Sequence, residues 1–138
     1  TCTTGLATLR RDGFASMDAG AAGGTLTTRP VRFSGKHLFV NVDAPKGELR
    51  VEVLTQTGEV LPLFMAQNCL PLTADKTLQA VRWNGVDDLS SLANQPVRFR
   101  FRLKNGSIYA FWVSPEKTGA SRGYVAAGGP GFGGNRDL

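Results

Sequence analysis

The segment VRFRFRL at residues 97–103 constrains the fold of this chain most, because its side chains alternate strictly between apolar residues and arginine. Successive side chains of a β-strand point to opposite faces, so this period of two predicts a strand. One face of that strand packs on a core and the other lies in water. The water-facing side is an arginine row made of Arg98, Arg100 and Arg102.

A second apolar segment, residues 107–113, follows the turn signal Asn-Gly at positions 105–106, and the two segments together predict a β-hairpin. Both faces of this second strand are apolar. Alternation groups Ile108, Ala110 and Trp112 on one face and Tyr109, Phe111 and Val113 on the other. One face packs on the core, and the other apolar face must be shielded from water by another group. Three explanations stay open: the tail or a loop, with long arginine stems packed over the rings; a docked neighbouring domain; or a bound sugar.

Short strand patterns also fill the rest of the chain, separated by turns that draw on seventeen glycines and seven prolines. Residues 36–60 predict another hairpin, whose inward positions are Leu38, Val40, Val42, Leu49, Val51 and Val53. No stretch sustains the 3.6-residue period of a helix. We therefore expect an all-β domain, an antiparallel β-sandwich or jelly roll of about eight to ten strands with little helix.

The length of 138 residues suits one domain with one core. We expect the β-sandwich over residues 1–117. Residues 118–138 form a glycine-rich C-terminal segment, partly ordered against the sandwich. The first residue is Thr1 and no signal-like segment follows it, so we expect a mature or excised piece of a larger protein.

The formal charge of +5 is spread along the chain, with its densest groupings at Leu9–Arg11 and in the arginine row. No basic helix or aromatic RNA-binding motif accompanies these groupings, and no apolar run is long enough to span a bilayer. We expect a monomer with neither nucleic acid nor a membrane as partner.

Few side chains suggest chemistry. His37 is the only histidine, so a relay of imidazoles or a multi-histidine metal site is excluded. Asp87 and Asp88 are the most concentrated acidic pair and predict either a cap on a helical turn or a weak structural calcium site. The glycine run at residues 128–134 lacks the Lys-Ser/Thr ending of a phosphate-binding loop. We assign no catalytic residue, no other cofactor and no enzymatic activity to this chain.

Cys2 and Cys69 are the only cysteines, and two interpretations of them stay open. A disulfide between them would close a loop of about 68 residues and stabilise the fold by roughly 4 kcal/mol. Alternatively, Cys69 in the motif NCLPL is a small buried apolar residue.

A series of motifs carries a family resemblance: LRRDGFASMDAG, GTLTTRPVRFSGKHLFVNVDAPKGELRVEVLTQTGEVLPLF, NCLPL, VRWNGVDDLSSLANQPVRFRFRLKNGSIYAFWV and SRGYVAAGGPG. Together they resemble the C-terminal, lectin-like β-sandwich module of secreted bacterial proteins with a β-propeller catalytic domain. Those proteins are similar to glycoside hydrolase family 32 and to related furanosidase or sialidase-like enzymes. The chain lacks the propeller and its acidic motifs, and RRDG is not the Arg-Asp-Pro element of such enzymes.

The resemblance implies a secreted or periplasmic accessory module outside a catalytic centre, with a polysaccharide or oligosaccharide and the parent catalytic domain as partners. In a carbohydrate-binding module, exposed rings stack on sugars and nearby polar side chains bond the hydroxyls. The candidate residues are Tyr109, Trp112, Trp83, Tyr124 and Arg100. The alternative for each ring is core packing. The alternative for the whole module is a structural domain that packs on the propeller and has no ligand of its own.

Overall fold

The computed structural model describes residues 2–124 and 133–138, and they form two antiparallel sheets. The strands are β1 (Met17–Ala19), β2 (Gly24–Thr27), β3 (His37–Asp43), β4 (Glu48–Thr55), β5 (Asp75–Ala80), β6 (Val97–Lys104) and β7 (Gly106–Ser114). Sheet A has the order β1-β7-β3-β5 and sheet B the order β2-β6-β4. The predicted all-β fold is therefore confirmed, with seven strands in the described residues rather than eight to ten.

Helix is confined, in this described part, to two short 3₁₀ turns at Pro62–Phe64 and Ser90–Leu92. No helix among these residues is long and apolar enough to cross a membrane.

The two predicted hairpins are wrong, because each joins strands of different sheets. β6 pairs with β2 and β4, whereas β7 pairs with β1 and β3. β3 and β4 divide between the sheets in the same way. Alternation shows which side chains of a strand face the core. It is the same whether the next strand pairs with this one in a hairpin or crosses to the other sheet, so it does not distinguish the two connections.

The connection from β3 to β4 and the connection from β6 to β7 pack against each other through their backbones, at Gly47 and Gly106. A Cβ on Gly47 would overlap the carbonyl oxygens of Lys104 and Asn105, and one on Gly106 would lie 2.6 Å from the carbonyl oxygen of Asp43. Each strand pair therefore changes sheets at the same end of the sandwich, where no side chain fits between the chains.

The core lies between the sheets and combines the alternating inward residues of the strands with buried side chains of the connections, such as Phe64, Trp83 and Leu89. All six inward positions predicted for residues 36–60 are buried, as are Val97, Phe99, Phe101 and Leu103 of β6. The ring of Phe111 on β7 closes the core from sheet A, with its centroid 5.1 Å from that of Phe101. The predicted core faces of β3, β4 and β6 are thus confirmed.

The predicted faces of β7 are wrong at two positions, Ile108 and Tyr109, because the strand contains a β-bulge. Asn41 of β3 pairs with Ala110, but the next residue, Val42, pairs with Ile108, so Tyr109 is an extra residue. The bulge moves Ile108, 5% exposed, to the core side with Phe111 and Val113. A bulge inserts one extra residue, so the side chains beyond it face the opposite way. The sequence period does not show where a bulge lies.

The described part of the C-terminal segment packs on the sandwich. Ala120 is buried, and its carbonyl oxygen accepts a hydrogen bond from Ser114 Oγ at 2.7 Å. Asp137 accepts one from the Ser121 backbone N–H at 2.9 Å and pairs with Arg11. Most of the glycine run at residues 128–134 lies outside the described residues.

Candidate functional site

A cleft of about 330 Å³ opens at one end of sheet A. Antiparallel pairing brings three chain segments to this end, because His37 at the start of β3 pairs with Ser114 near the end of β7 and Phe39 pairs with Ala80 at the end of β5. Apolar side chains form part of the wall. Charged ones come from the flanking residues Lys36, Arg82, Asp87, Asp88 and Lys117.

The loop after Trp83 forms one side of the cleft and is held at both ends. Trp83 donates from Nε1 to the Val51 carbonyl oxygen at 2.9 Å, and its ring meets Phe64 edge-on with the centroids 5.4 Å apart. At the other end, the buried residue Leu89 donates from its backbone N–H to the carbonyl oxygen of Lys36 at 2.8 Å. The wall is therefore preformed. With only 5% exposure, the Trp83 ring contributes an edge and offers no open stacking face.

Asp88 caps the 3₁₀ turn that follows it. Its Oδ1 accepts a hydrogen bond from the Ser90 backbone N–H at 2.8 Å. Hydrogen bonds from Ser90, with smaller contributions from His37 and Lys36, hold the pKa of Asp88 below its ordinary value. The capping interpretation of the Asp87–Asp88 pair thus has direct support. Residues 2–124 and 133–138 contain no cluster of three potential metal-ligating His, Cys, Asp or Glu side chains.

The outer face of sheet A is covered by the chain itself at Trp112. The Trp112 ring stacks on Phe39 with the centroids 5.8 Å apart, and its Nε1 donates to the Gly119 carbonyl oxygen at 2.9 Å. Gly119 lies so close to this pair that a Cβ on it would be 2.8 Å from the Phe39 ring. Of the three proposed covers for β7, the segment after the strand is therefore the one present here.

Tyr109 is covered by an arginine, although not by one from the arginine row. The guanidinium carbon of Arg10 lies 4.8 Å from the Tyr109 ring centroid. Arg10 also donates from Nε to Asn41 Oδ1 at 2.6 Å, and it pairs with Asp75. Asn41 is buried and returns a hydrogen bond to the Arg11 carbonyl oxygen at 2.6 Å. These contacts hold the N-terminal segment at Arg10 and Arg11 against the outer face of sheet A.

The arginine row lies on the outer face of sheet B, but the expectation of a simple water-exposed face is wrong. Glu52 of β4, 3% exposed, accepts hydrogen bonds on Oε1 from Arg100 at 2.9 Å and from Arg102 at 2.9 and 3.1 Å. Arg98 instead donates to the backbone carbonyl oxygens of Gln56 and Thr28. Arg100 is therefore half of an ion pair to a buried carboxylate.

Tyr124 is the one predicted ring that is largely exposed, at 73%. The Arg136 guanidinium carbon lies 4.8 Å from its ring centroid, and Arg136 Nη2 donates to its hydroxyl at 2.8 Å. One face of the ring is therefore occupied by Arg136.

The predicted site residues do not converge on one place. Trp83 borders the cleft, Tyr109 and Trp112 lie on the outer face of sheet A, and Arg100 lies on the opposite side of the sandwich. Sequence reasoning missed Lys36, Arg82 and Lys117, because each is an isolated cation in its own segment.

Cys2 and Cys69 are not bonded to each other. Cys69 is buried, and its sulfur accepts a hydrogen bond from the Val51 backbone N–H at 3.3 Å. Burial raises the pKa of the Cys69 thiol, which disfavours the reactive thiolate. The interpretation of Cys69 as a small core residue is the one that fits.

Comparison of the chain with protein-family models, with curated proteins and with solved structures found no match.

Proposed function

We propose that this chain is a non-catalytic, carbohydrate-binding accessory module of a secreted bacterial glycoside hydrolase. The observation that carries the proposal is the preformed cleft at the end of sheet A. Its volume of about 330 Å³ is at the lower end of the range of small-ligand sites, which suits one end or a short stretch of a glycan.

The cleft has the two kinds of group that sugars need. Apolar side chains, among them Val81 and Val86, supply a surface for the C–H faces of a sugar ring. The exposed charged residues Arg82 and Asp87 supply a donor and an acceptor for hydroxyl groups. This proposal moves the sugar site from the rings of β7, which the chain covers, to the cleft.

The absence of a reaction is part of the proposal. The single histidine, His37, borders the cleft, but the chain has no second imidazole to form a relay with it. Asp88 accepts the Ser90 backbone N–H at the capped turn, so we assign this carboxylate a structural role and not one in acid–base catalysis.

A structural domain packing on a β-propeller is the second candidate, and one observation favours it. Four large apolar side chains near the N-terminus are exposed: Leu6, Leu9, Phe14 and Met17. An apolar group of this kind is typical of a contact with another domain. In the parent protein, Leu6→Ser with Phe14→Ser would then lower the melting temperature of the whole protein while leaving the isolated module unchanged.

The test of carbohydrate binding is affinity electrophoresis of the module through soluble polysaccharides of varied composition. The double variant Arg82→Ala and Asp87→Ala keeps the net charge of the wild type and should lose about tenfold or more in affinity, at an unchanged melting temperature. Tyr124→Ala is the control and should bind normally. Loss of binding in Tyr124→Ala alone would place the site at that ring instead. If no polysaccharide retards the wild type, the carbohydrate-binding function is refuted and the structural domain is the candidate that is retained.

A further inference from the structure

Three cations line the cleft without a salt bridge to any of residues 2–124 and 133–138, although the charge of Lys36 acts on the nearby Asp88 carboxylate. Ion pairs or carboxylate hydrogen bonds engage Arg10, Arg11, Arg50, Arg100, Arg102 and Arg122. In the same described ranges no salt bridge reaches Lys36, Arg82 or Lys117, although Asp87 and Asp88 line the same cleft.

The fold, and not local sequence, brings these three cations together. Lys36 precedes β3, Arg82 follows β5 and Lys117 follows β7, and the strands pair so that these ends meet. The backbone of Lys36 is further fixed by Leu89, and that of Arg82 by the Leu70 N–H, which donates to its carbonyl oxygen at 2.9 Å. The side chains of Lys36 and Arg82 thus project from fixed points beside the cleft, and Lys117 lines the same cleft.

Cations around a concave, partly apolar surface attract an anion more strongly than the same cations spread over a convex one, because low-dielectric walls focus the field. A guanidinium also offers two parallel donors to a carboxylate or sulfate group. Asp87 is exposed and makes no salt bridge within the described part of the chain, so it remains as an acceptor for hydroxyl groups. A sugar with an acidic substituent needs cations for its acidic group and an acceptor for its hydroxyl groups, and the cleft has both.

We propose that the cleft binds an acidic saccharide, whose carboxylate or sulfate group is held by Lys36, Arg82 and Lys117 while its hydroxyl groups donate to Asp87. This inference rests on the proposed carbohydrate-binding function and specifies the class of glycan.

The test uses two pairs of polymers that share a sugar backbone and differ mainly in their charged groups: polygalacturonate against highly methyl-esterified pectin, and dextran sulfate against dextran. Binding is measured by affinity electrophoresis and by calorimetry at an ionic strength of about 0.15 M, where charges more than about 8 Å apart are screened. We expect at least about tenfold tighter binding to one acidic polymer than to its neutral partner. Preference for polygalacturonate identifies a carboxylate ligand, and preference for dextran sulfate identifies a sulfate ligand.

Two triple variants with equal net charge separate cleft binding from the attraction of any basic protein to a polyanion. The cleft variant carries Lys36→Gln, Arg82→Gln and Lys117→Gln. The control variant carries Arg29→Gln, Lys46→Gln and Lys104→Gln, which are exposed and lie outside the cleft. The cleft variant should lose about tenfold or more in affinity for the acidic polymer, and the control should stay within about twofold.

Three results would overturn the inference. Equal losses in both triple variants would mean non-specific ion exchange. Equal binding of an acidic polymer and its neutral partner would refute the acidic ligand while the carbohydrate-binding function stands. No binding to any of the four polymers or to other neutral glycans would refute both.

Discussion

The substitution Glu52→Gln tests the buried carboxylate beneath the arginine row. Glutamine keeps the shape of the side chain and one acceptor oxygen but removes the charge that Arg100 and Arg102 share. Removing one partner of a fully buried ion pair costs about 3–5 kcal/mol, whereas an exposed pair is worth about 0–1 kcal/mol. Here the carboxylate is 3% exposed, but the two arginine side chains are 27% and 48% exposed and can be rehydrated.

We therefore expect an intermediate loss of about 2 kcal/mol in the free energy of unfolding. In a domain of this size, each kcal/mol lowers the melting temperature by about 3 °C, so the variant should melt about 6 °C below the wild type. Urea unfolding followed by circular dichroism measures the first quantity, and thermal unfolding measures the second.

The matched control is Glu48→Gln on the same strand. Glu48 pairs with Arg50, and both side chains are substantially exposed, at 42% and 30%. This substitution should change stability by about 0.5 kcal/mol or less. If Glu52→Gln costs no more than Glu48→Gln, then burial does not determine the value of the pair and the reasoning is wrong.

Two further predictions concern a glycine that covers sheet A and the capped turn. In urea unfolding, Gly119→Ala should lower the free energy of unfolding by about 1 kcal/mol or more beyond the loss in Gly85→Ala. Both glycines have positive φ, at 85° and 75°, but only at Gly119 would an added Cβ meet the Phe39 ring. Equal losses in the two variants would mean that Gly119 is not packed tightly on sheet A. Asp88→Ala should lower the melting temperature at pH 7. The Ser90 hydrogen bonds depress the folded-state pKa, so their stabilisation is present above the unfolded-state pKa and is lost as the pH falls through the lower folded value. The melting difference should therefore shrink below pH 3.8, and a difference independent of pH would contradict the capping role.

The inward faces of the strands were predictable because they depend on a local period. Alternation in residues 97–103 and in the segments around Val40 and Val51 identifies inward side chains, and those side chains form a large part of the core. The Asp87–Asp88 pair was recognised as a candidate cap for a similar reason, since a cap and its turn lie within a few residues of each other.

The neighbours of each strand were not predictable in this way. The turn signal at residues 105–106 predicts a hairpin, yet the chain turns a corner there between sheets. That choice depends on close backbone packing of Gly106 against Asp43, far away in the sequence. The extra residue at Tyr109 likewise arises from pairing with β3, and a single bulge moves Ile108 to the opposite face.

The amino-acid sequence by itself thus determined the fold class and the core faces of β3, β4 and β6. Only the tertiary structure decided that Gly119 and Arg10 cover the rings of β7, that a buried carboxylate neutralises part of the arginine row, and that three separate cations meet at one cleft. The physical reason is the range of the interactions. Periodicity is a property of adjacent residues, whereas covering a ring or gathering charges requires contacts between segments that only the completed fold brings together.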